Sequence, residues 1–148
     1  RLLLHISEPS KVIKELKRVV KPSGRVILMD WDFGTLAIDH KDRNLTRKIF
    51  NWRTDYKDGN NWSGRQLYGR LKKEGFREIT IKPFVSYVKD EKTSLTQSLF
   101  HAASGALENN IISKKEHDSW VGEIKEKLRE NQFFASITYF LVKGLRPD

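Results

Sequence analysis

The feature that most constrains this chain lies between Pro9 and Asp30: an amphipathic helix, a tight turn and an unbroken apolar run. Pro9 suits the first position of a helix, where its missing N–H costs nothing. Placing residues about 100° apart puts Val12, Ile13, Leu16, Val19 and Val20 on one arc. Lys11, Lys14, Lys17, Arg18 and Lys21 fall on the other side, so the helix lies on a core and its cations face water. Lys21-Pro22-Ser23-Gly24 stops the helix and turns the chain. Arg25 to Asp30 then reads as a strand. Its run Val26-Ile27-Leu28-Met29 is the pattern of a strand covered on both faces, as in a parallel sheet. Helix, turn and buried strand ending in an acid make half of a βαβ unit, whose other half is expected before Arg1. The chain opens Arg1-Leu2-Leu3-Leu4-His5-Ile6, with neither Met nor a polar leader. An apolar run at a terminus leads us to expect a fragment or processed product of a longer domain.

The remaining 118 residues are read more coarsely, within a total of 148 that suits one domain with one core. Trp31 to His40 is a polar and aromatic stretch. Asp42 to about Tyr56 predicts a helix with Leu45, Ile49, Trp52 and Tyr56 on one face, followed by a loop at Asp58-Gly59-Asn60-Asn61. Ser63 and Gln66 have capping-box spacing for a further helix that Gly75 ends. Glu78 to Val88 reads as a strand and Ser94 to Glu108 as a helix. Ser113 and Glu116 open a helix running to about Asn131, and Phe133 to Leu145 is a strand rich in aromatic and β-branched residues.

Composition excludes several function classes. There is no cysteine, hence no disulfide framework, thiolate zinc site or cysteine nucleophile. The net charge is +9, from 28 Lys and Arg against 19 Asp and Glu, and the pI is near 9.8. That balance raises the question of an acidic partner such as nucleic acid. The cations are scattered, however, and acids are interleaved among them, the pattern of a solvated surface. No apolar stretch approaches the roughly 20 residues of a membrane span, and none has the form of a signal peptide. A soluble, cytoplasmic protein is expected.

The segment Leu3-Leu4-His5-Ile6-Ser7-Glu8-Pro9, with Val12 through Lys21-Pro22-Ser23-Gly24-Arg25 to Asp30, resembles class I S-adenosylmethionine-dependent methyltransferases of the ubiquinone/menaquinone-biosynthesis-like type, the type 11 group. In that family an LxH(I/L)xDP segment follows the fourth strand and a (L/V)(K/R)PGG turn leads into the fifth. Glu8 stands here for the usual Asp and Ser23 for the first Gly. Gly75-Phe76 matches a GF pair before the sixth strand, and Phe133 to Lys143 looks like the last strand, antiparallel to its neighbours. The resemblance covers essentially the whole chain but only the C-terminal part of the family domain. It implies an α/β, Rossmann-like fold holding strands five to seven with their covering helices. Residues 1–148 would form a single domain, with 31–75 as an inserted substrate-pocket segment. The glycine-rich loop that holds the cofactor's methionine end in the family has no counterpart among the nine isolated glycines.

Candidate site residues follow. By resemblance Arg1, Leu4 and His5 lie beside the methionine end of the cofactor; His5 either orients substrate or acts as a base, or else packs at the start of the helix. Asp30-Trp31-Asp32 ends the fifth strand, the edge where ligands bind in open α/β sheets. The competing reading is an Asx-type turn. Asp39-His40-Lys41-Asp42 suggests acid/base chemistry, but Asp42 serves equally as a helix cap, and one His among acids is no metal signature. Arg53 falls inside an apolar arc: either it contacts a substrate anion or it pairs with an acid such as Asp30 or Asp32. Trp62, Arg65 and Gln66 open a helix, whose N-terminus favours anions, and Trp31, Trp52, Tyr56 and Trp62 either line a pocket or fill a core. The order of candidates for a base is Asp32, His40, His5. Trp31, Asp32, Arg53, Trp62 and Arg65 are the candidate substrate contacts, and no metal is expected.

The resemblance implies S-adenosylmethionine as cofactor of the complete domain, transferring methyl in line to a small-molecule acceptor, with no activity expected without the N-terminal part. Alignment does much of the work in such a reaction, so no triad need be visible. The alternative is a non-catalytic basic module for nucleic acid or another acidic partner. A third expectation is a homodimer through the uncovered edge of the fifth strand.

Overall fold

A computed structural model describes residues 2–55, 59–88 and 90–148. A single 3-10 turn, Leu3–His5, is followed by α1 (Pro9–Val19), β1 (Arg25–Ile38), α2 (Arg43–Asp55), α3 (Ser63–Lys73), β2 (Arg77–Tyr87), α4 (Ser94–Glu108), α5 (Lys114–Arg129) and β3 (Ala135–Leu145). The strands form one sheet in the order β1-β3-β2. β3 runs antiparallel: the Asp39 N–H donates to Phe134 O and the Arg146 N–H to Gly24 O, so its start meets the end of β1. At the other border the Val88 N–H donates to Ala135 O. The last strand thus lies in the middle, and among the described residues β1 pairs on one edge, with β3.

The chain forms two compact units. The first takes in the chain through Gly34, α3, β2 as far as Val85, and everything from Thr138 onward. Its core joins Leu3 and Ile13 to Val26, Leu67, Leu71, Phe76 and Val142, with Val12, Leu16 and Val20 packed against them. This is the apolar arc read on the first helix apart from Val19, which is 56% exposed, and Pro9 does stand at its first turn. Gly75 takes φ +80 beyond α3, the left-handed value that a side chain resists.

The second unit holds Thr35 through α2 and Ser86 through Ile137. Here α2 packs on α4 and α5. Trp120 is its fully buried centre, tilted against Phe50, with its indole N–H donating to Thr46 Oγ1 at 3.0 Å. Ser113 opens α5 with the capping box its spacing predicts, and Thr93 caps α4.

Three expectations are corrected. β1 does not stop at Asp30 but continues to Ile38. Its two acids bond to the first turn of α3, Asp30 through one oxygen and Asp32 through both, so nothing forces a turn there. Nor is β1 covered on both faces: Ile27 is 59% and Met29 42% exposed, while Val26 is buried. Finally, Ser63 and Gln66 form no capping box. Trp62 occupies the N-cap without a side-chain bond, and the Ser63 hydroxyl is drawn to β1 instead.

Candidate functional site

All the site geometry of the first unit is set by how closely α3 begins against β1. Gly64 makes this approach possible: a Cβ there would stand 3.0 Å from Asp30 O, from the Trp31 carbonyl carbon and from Phe140 Cδ2. Asp30 and Asp32, two apart, share one face of the strand. Both are buried, and both meet the first turn of α3. The Ser63 hydroxyl donates to Asp30 Oδ2 at 2.6 Å. Arg65 donates to Asp32 through Nε to Oδ2 and through Nη2 to Oδ1, the latter at 2.9 Å. Asp32 Oδ1 also accepts the Gly34 N–H at 2.9 Å, an Asx-type bond made without ending the strand. Asp30 Oδ1 is buried with no hydrogen-bond partner among the described residues.

Aromatic rings close over this pair. The Arg65 guanidinium lies over Trp62, 4.3 Å from the ring centroid. Beneath them runs Gly34, where a Cβ would come within 3.0 Å of both Trp62 Cζ3 and Arg65 Nη2. Trp31 is buried and stacks on Tyr139, with centroids 5.4 Å apart, and tilts against Phe33. Asp32, Trp62 and Arg65 therefore come together, and Asp32 stands as the carboxylate of a bidentate ion pair. The Arg65 guanidinium is an ion-pair partner of Asp32.

The first unit also holds a polar cavity of about 580 Å³. His5, Ile6, Ser7 and Pro9 form one wall and Gly59, Asn60, Gln66 and Arg70 the other. The Asn60 N–H donates to Leu4 O at 2.8 Å and ties the two walls together. His5 is exposed at this cavity and Leu4 is buried behind it, whereas Arg1 lies outside the described residues, as does Tyr56. Gln66 belongs to the anion-favouring helix start read from the sequence, whereas Asn60 and Arg70 are cavity residues that reading does not reach. The four-residue spacing of Gln66 and Arg70, one helical turn, was the available signal.

His40 and Arg53 belong to the second unit. His40 is buried and stacks on Trp120. The Asp42 N–H donates to its Nδ1 at 3.0 Å, so the ring proton resides on Nε2. Nε2 lies 3.3 Å from both Trp120 O and Glu123 Oε2. Asp42 Oδ1 accepts the Leu45 N–H at 2.8 Å, the helix cap that was one reading of this acid. Glu123 accepts the Lys41 N–H at 2.9 Å and pairs with Lys127 at 3.4 Å. Burial raises the pKa of Glu123, but the Lys41 N–H, His40 and the Lys127 ammonium outweigh it and hold the carboxyl below its ordinary value. Arg53 is half-buried, and desolvation lowers its pKa. Among the described residues no cluster of three His, Asp or Glu side chains could hold a metal ion, and no helix is long and apolar enough to cross a membrane.

With this geometry in hand, the chain can be compared with known proteins. No family model matches it. A Streptomyces fradiae protein of 37.1 kDa from transposon Tn4556, uncharacterised, is 27% identical over 147 residues, which are 96% of this chain and 40% of that protein. Among solved structures, a candidate methyltransferase of Bacillus halodurans C-125 matches 99% of this chain and 62% of its own, at a TM-score of 0.53 and 16% identity. Phosphoethanolamine N-methyltransferase 2 of Haemonchus contortus, in complex with phosphomonomethylethanolamine and S-adenosylhomocysteine, matches 99% of this chain and 32% of its own, at a TM-score of 0.47 and 16% identity. The fold, helices and a three-stranded antiparallel sheet, thus matches the C-terminal part of a methyltransferase fold. This chain spans less than two thirds of the length of either relative, 40% of the transposon protein and 62% of the Bacillus halodurans chain.

Proposed function

We propose that this chain is the C-terminal portion of an S-adenosylmethionine-dependent methyltransferase of the cytoplasm, acting on a small-molecule acceptor. The observation that carries the reading is the cavity beside the 3-10 turn. His5, from the segment that resembles the family's post-fourth-strand motif, shares it with polar residues of α3. A glycine-rich cradle is not among this chain's residues, so the chain alone does not fit the whole cofactor. The cofactor supplies an activated methyl group. This chain's part is to orient an acceptor against it, with His5 exposed at the cavity as the group that aligns the acceptor or takes its proton. Asp32 and His40 remain in the proposal as positioning residues, Asp32 through Arg65 and His40 through the start of α2.

Self-association through the edge of β1 away from β3 belongs to the same proposal. Ile27 and Met29, exposed on that strand, support it. Light scattering that reads a strict monomer at all concentrations removes it. The catalytic reading is tested by expressing the gene product at full length and following methyl transfer from labelled cofactor to a panel of small acceptors. Transfer that falls sharply in His5→Ala supports the reading, and transfer unaffected by that change removes His5 from the site.

A further inference from the structure

The cavity beside the 3-10 turn is built around one cation. Arg70, on the second turn of α3, is half-buried, and desolvation lowers its pKa while the nearby charge of Asp30 raises it. A guanidinium stays protonated through such a shift. Its Nη2 donates to Gln66 Oε1 at 2.5 Å. With the Asn60 amide turned so that both its ends are satisfied, Asn60 Oδ1 accepts from Arg70 Nη1 at 2.8 Å and Asn60 Nδ2 donates to Gln66 Oε1 at 3.0 Å. Two neutral amides therefore fix the plane of the guanidinium without cancelling its charge. Arg18 and Arg65, by contrast, each hold a carboxylate of their own, Glu15 and Asp32. Among the described residues no carboxylate makes an ion pair with Arg70. A positioned, partly desolvated guanidinium facing a polar cavity of about 580 Å³ is a receptor for a planar or tetrahedral oxyanion. Asp30 sets an upper limit on its strength, because its buried charge offsets part of the field.

We infer that this cavity is an anion site: Arg70 receives the carboxylate or phosphate of a small-molecule ligand, with His5 and Ser7 flanking it. That the ligand is the methyl acceptor rests on the function proposed above; the anion site itself does not.

The test is a titration of the 148-residue chain with inorganic phosphate and, separately, with acetate, read on the arginine Nε–Hε resonances by nitrogen-edited NMR. A saturable shift of the Arg70 resonance is expected with at least one of them. Saturation by phosphate alone assigns a phosphate ligand, and by acetate alone a carboxylate. Arg70→Gln should weaken that binding by about tenfold or more, the loss of one charge-assisted contact. Arg70→Lys, which keeps the charge and the fold, should restore part of it, and His5→Ala, at an exposed position, should weaken it without unfolding the chain. A linear, unsaturable drift, or equal binding by the wild type and Arg70→Gln, overturns the inference. Phosphate or acetate binding that persists while the full-length protein fails to bind S-adenosylhomocysteine removes the acceptor assignment and leaves the anion site standing. The reverse result removes only the anion site.

Discussion

At the residue scale, Asp30 and Asp32 show how a pocket-edge acid and a packing acid look alike in sequence. Both end an apolar run, where an α/β fold places its ligands. What decides their use lies 33 residues away, at Ser63 and Arg65, and the match is one of spacing. Two acids at i and i+2 on a strand meet two donors at i and i+2 on the first turn of a helix. Nothing local announces that match, so the sequence shows the acids and hides their partners. Arg65→Ala leaves the buried Asp32 carboxylate with the Gly34 N–H but without its ion pair. We expect a loss of roughly 3 kcal/mol, the lower end for a broken buried pair because Arg65 is half-exposed, read by urea denaturation. Gly34→Ala forces Trp62 and the guanidinium aside and should cost about 1–3 kcal/mol by the same measurement. A Gly34→Ala protein as stable as wild type would mean that Trp62 and Arg65 are not held over the strand.

At the element scale, the helices and two of the three strands were legible, and the extent of β1 was not. Ser94–Glu108 falls where the pattern puts it, and α1 and α2 lie within two residues of it. Their periodicity and caps are local. The extent of β1 was hidden because Asp30, Asp32 and Gly34 carry turn chemistry that tertiary partners override. The start of α3 was misread for the same reason: Ser63 has capping spacing but donates to Asp30. This reversal is testable. Ser63→Ala should destabilise by about 1–3 kcal/mol, since Asp30 would then have neither oxygen satisfied among the described residues. Gln66→Ala, which loses exposed hydrogen bonds to Arg70 and Asn60, should cost less, about 0.5–1 kcal/mol. Equal losses from the two changes would restore the capping box.

In the second unit, Glu123 joins α5 to the start of α2 through the Lys41 N–H. Its folded pKa lies below the ordinary value of 4.5, so its charged form contributes stability that is complete above that value and is lost as pH falls through the lower one. Glu123→Gln should therefore be less stable near neutral pH and lose less stability than wild type on acidification below about 4.5. Parallel pH profiles for the two proteins would show that the carboxylate is not stabilised by its neighbours.

At the scale of the whole molecule, the charge of +9 is spread rather than focused. Lys11 pairs with Glu8, Arg18 with Glu15, Lys48 with Glu116, Lys114 with Asp118 and Lys127 with Asp39. Affinity for duplex DNA should be weak, without the steep salt slope of a protein that neutralises many phosphates; a steep slope with tight binding would favour the basic-module reading instead. The order β1-β3-β2, with β1 paired on one edge among the described residues, agrees with the reading of the chain as the last three strands of a larger sheet. The fold class was legible because the opening motif, the turn and Gly75-Phe76 are short-range signals. The cavity was not, because Arg70 and Asn60 reach it only after α3 has packed.

The most direct test of the central claim is calorimetric titration of S-adenosylhomocysteine into two proteins: the 148-residue chain and the full-length product of its gene. The account predicts saturable binding by the full-length protein and none by the chain alone. Binding by the chain alone would mean that it builds a cofactor site without a glycine-rich loop, and absence of binding by the full-length protein would contradict the methyltransferase assignment.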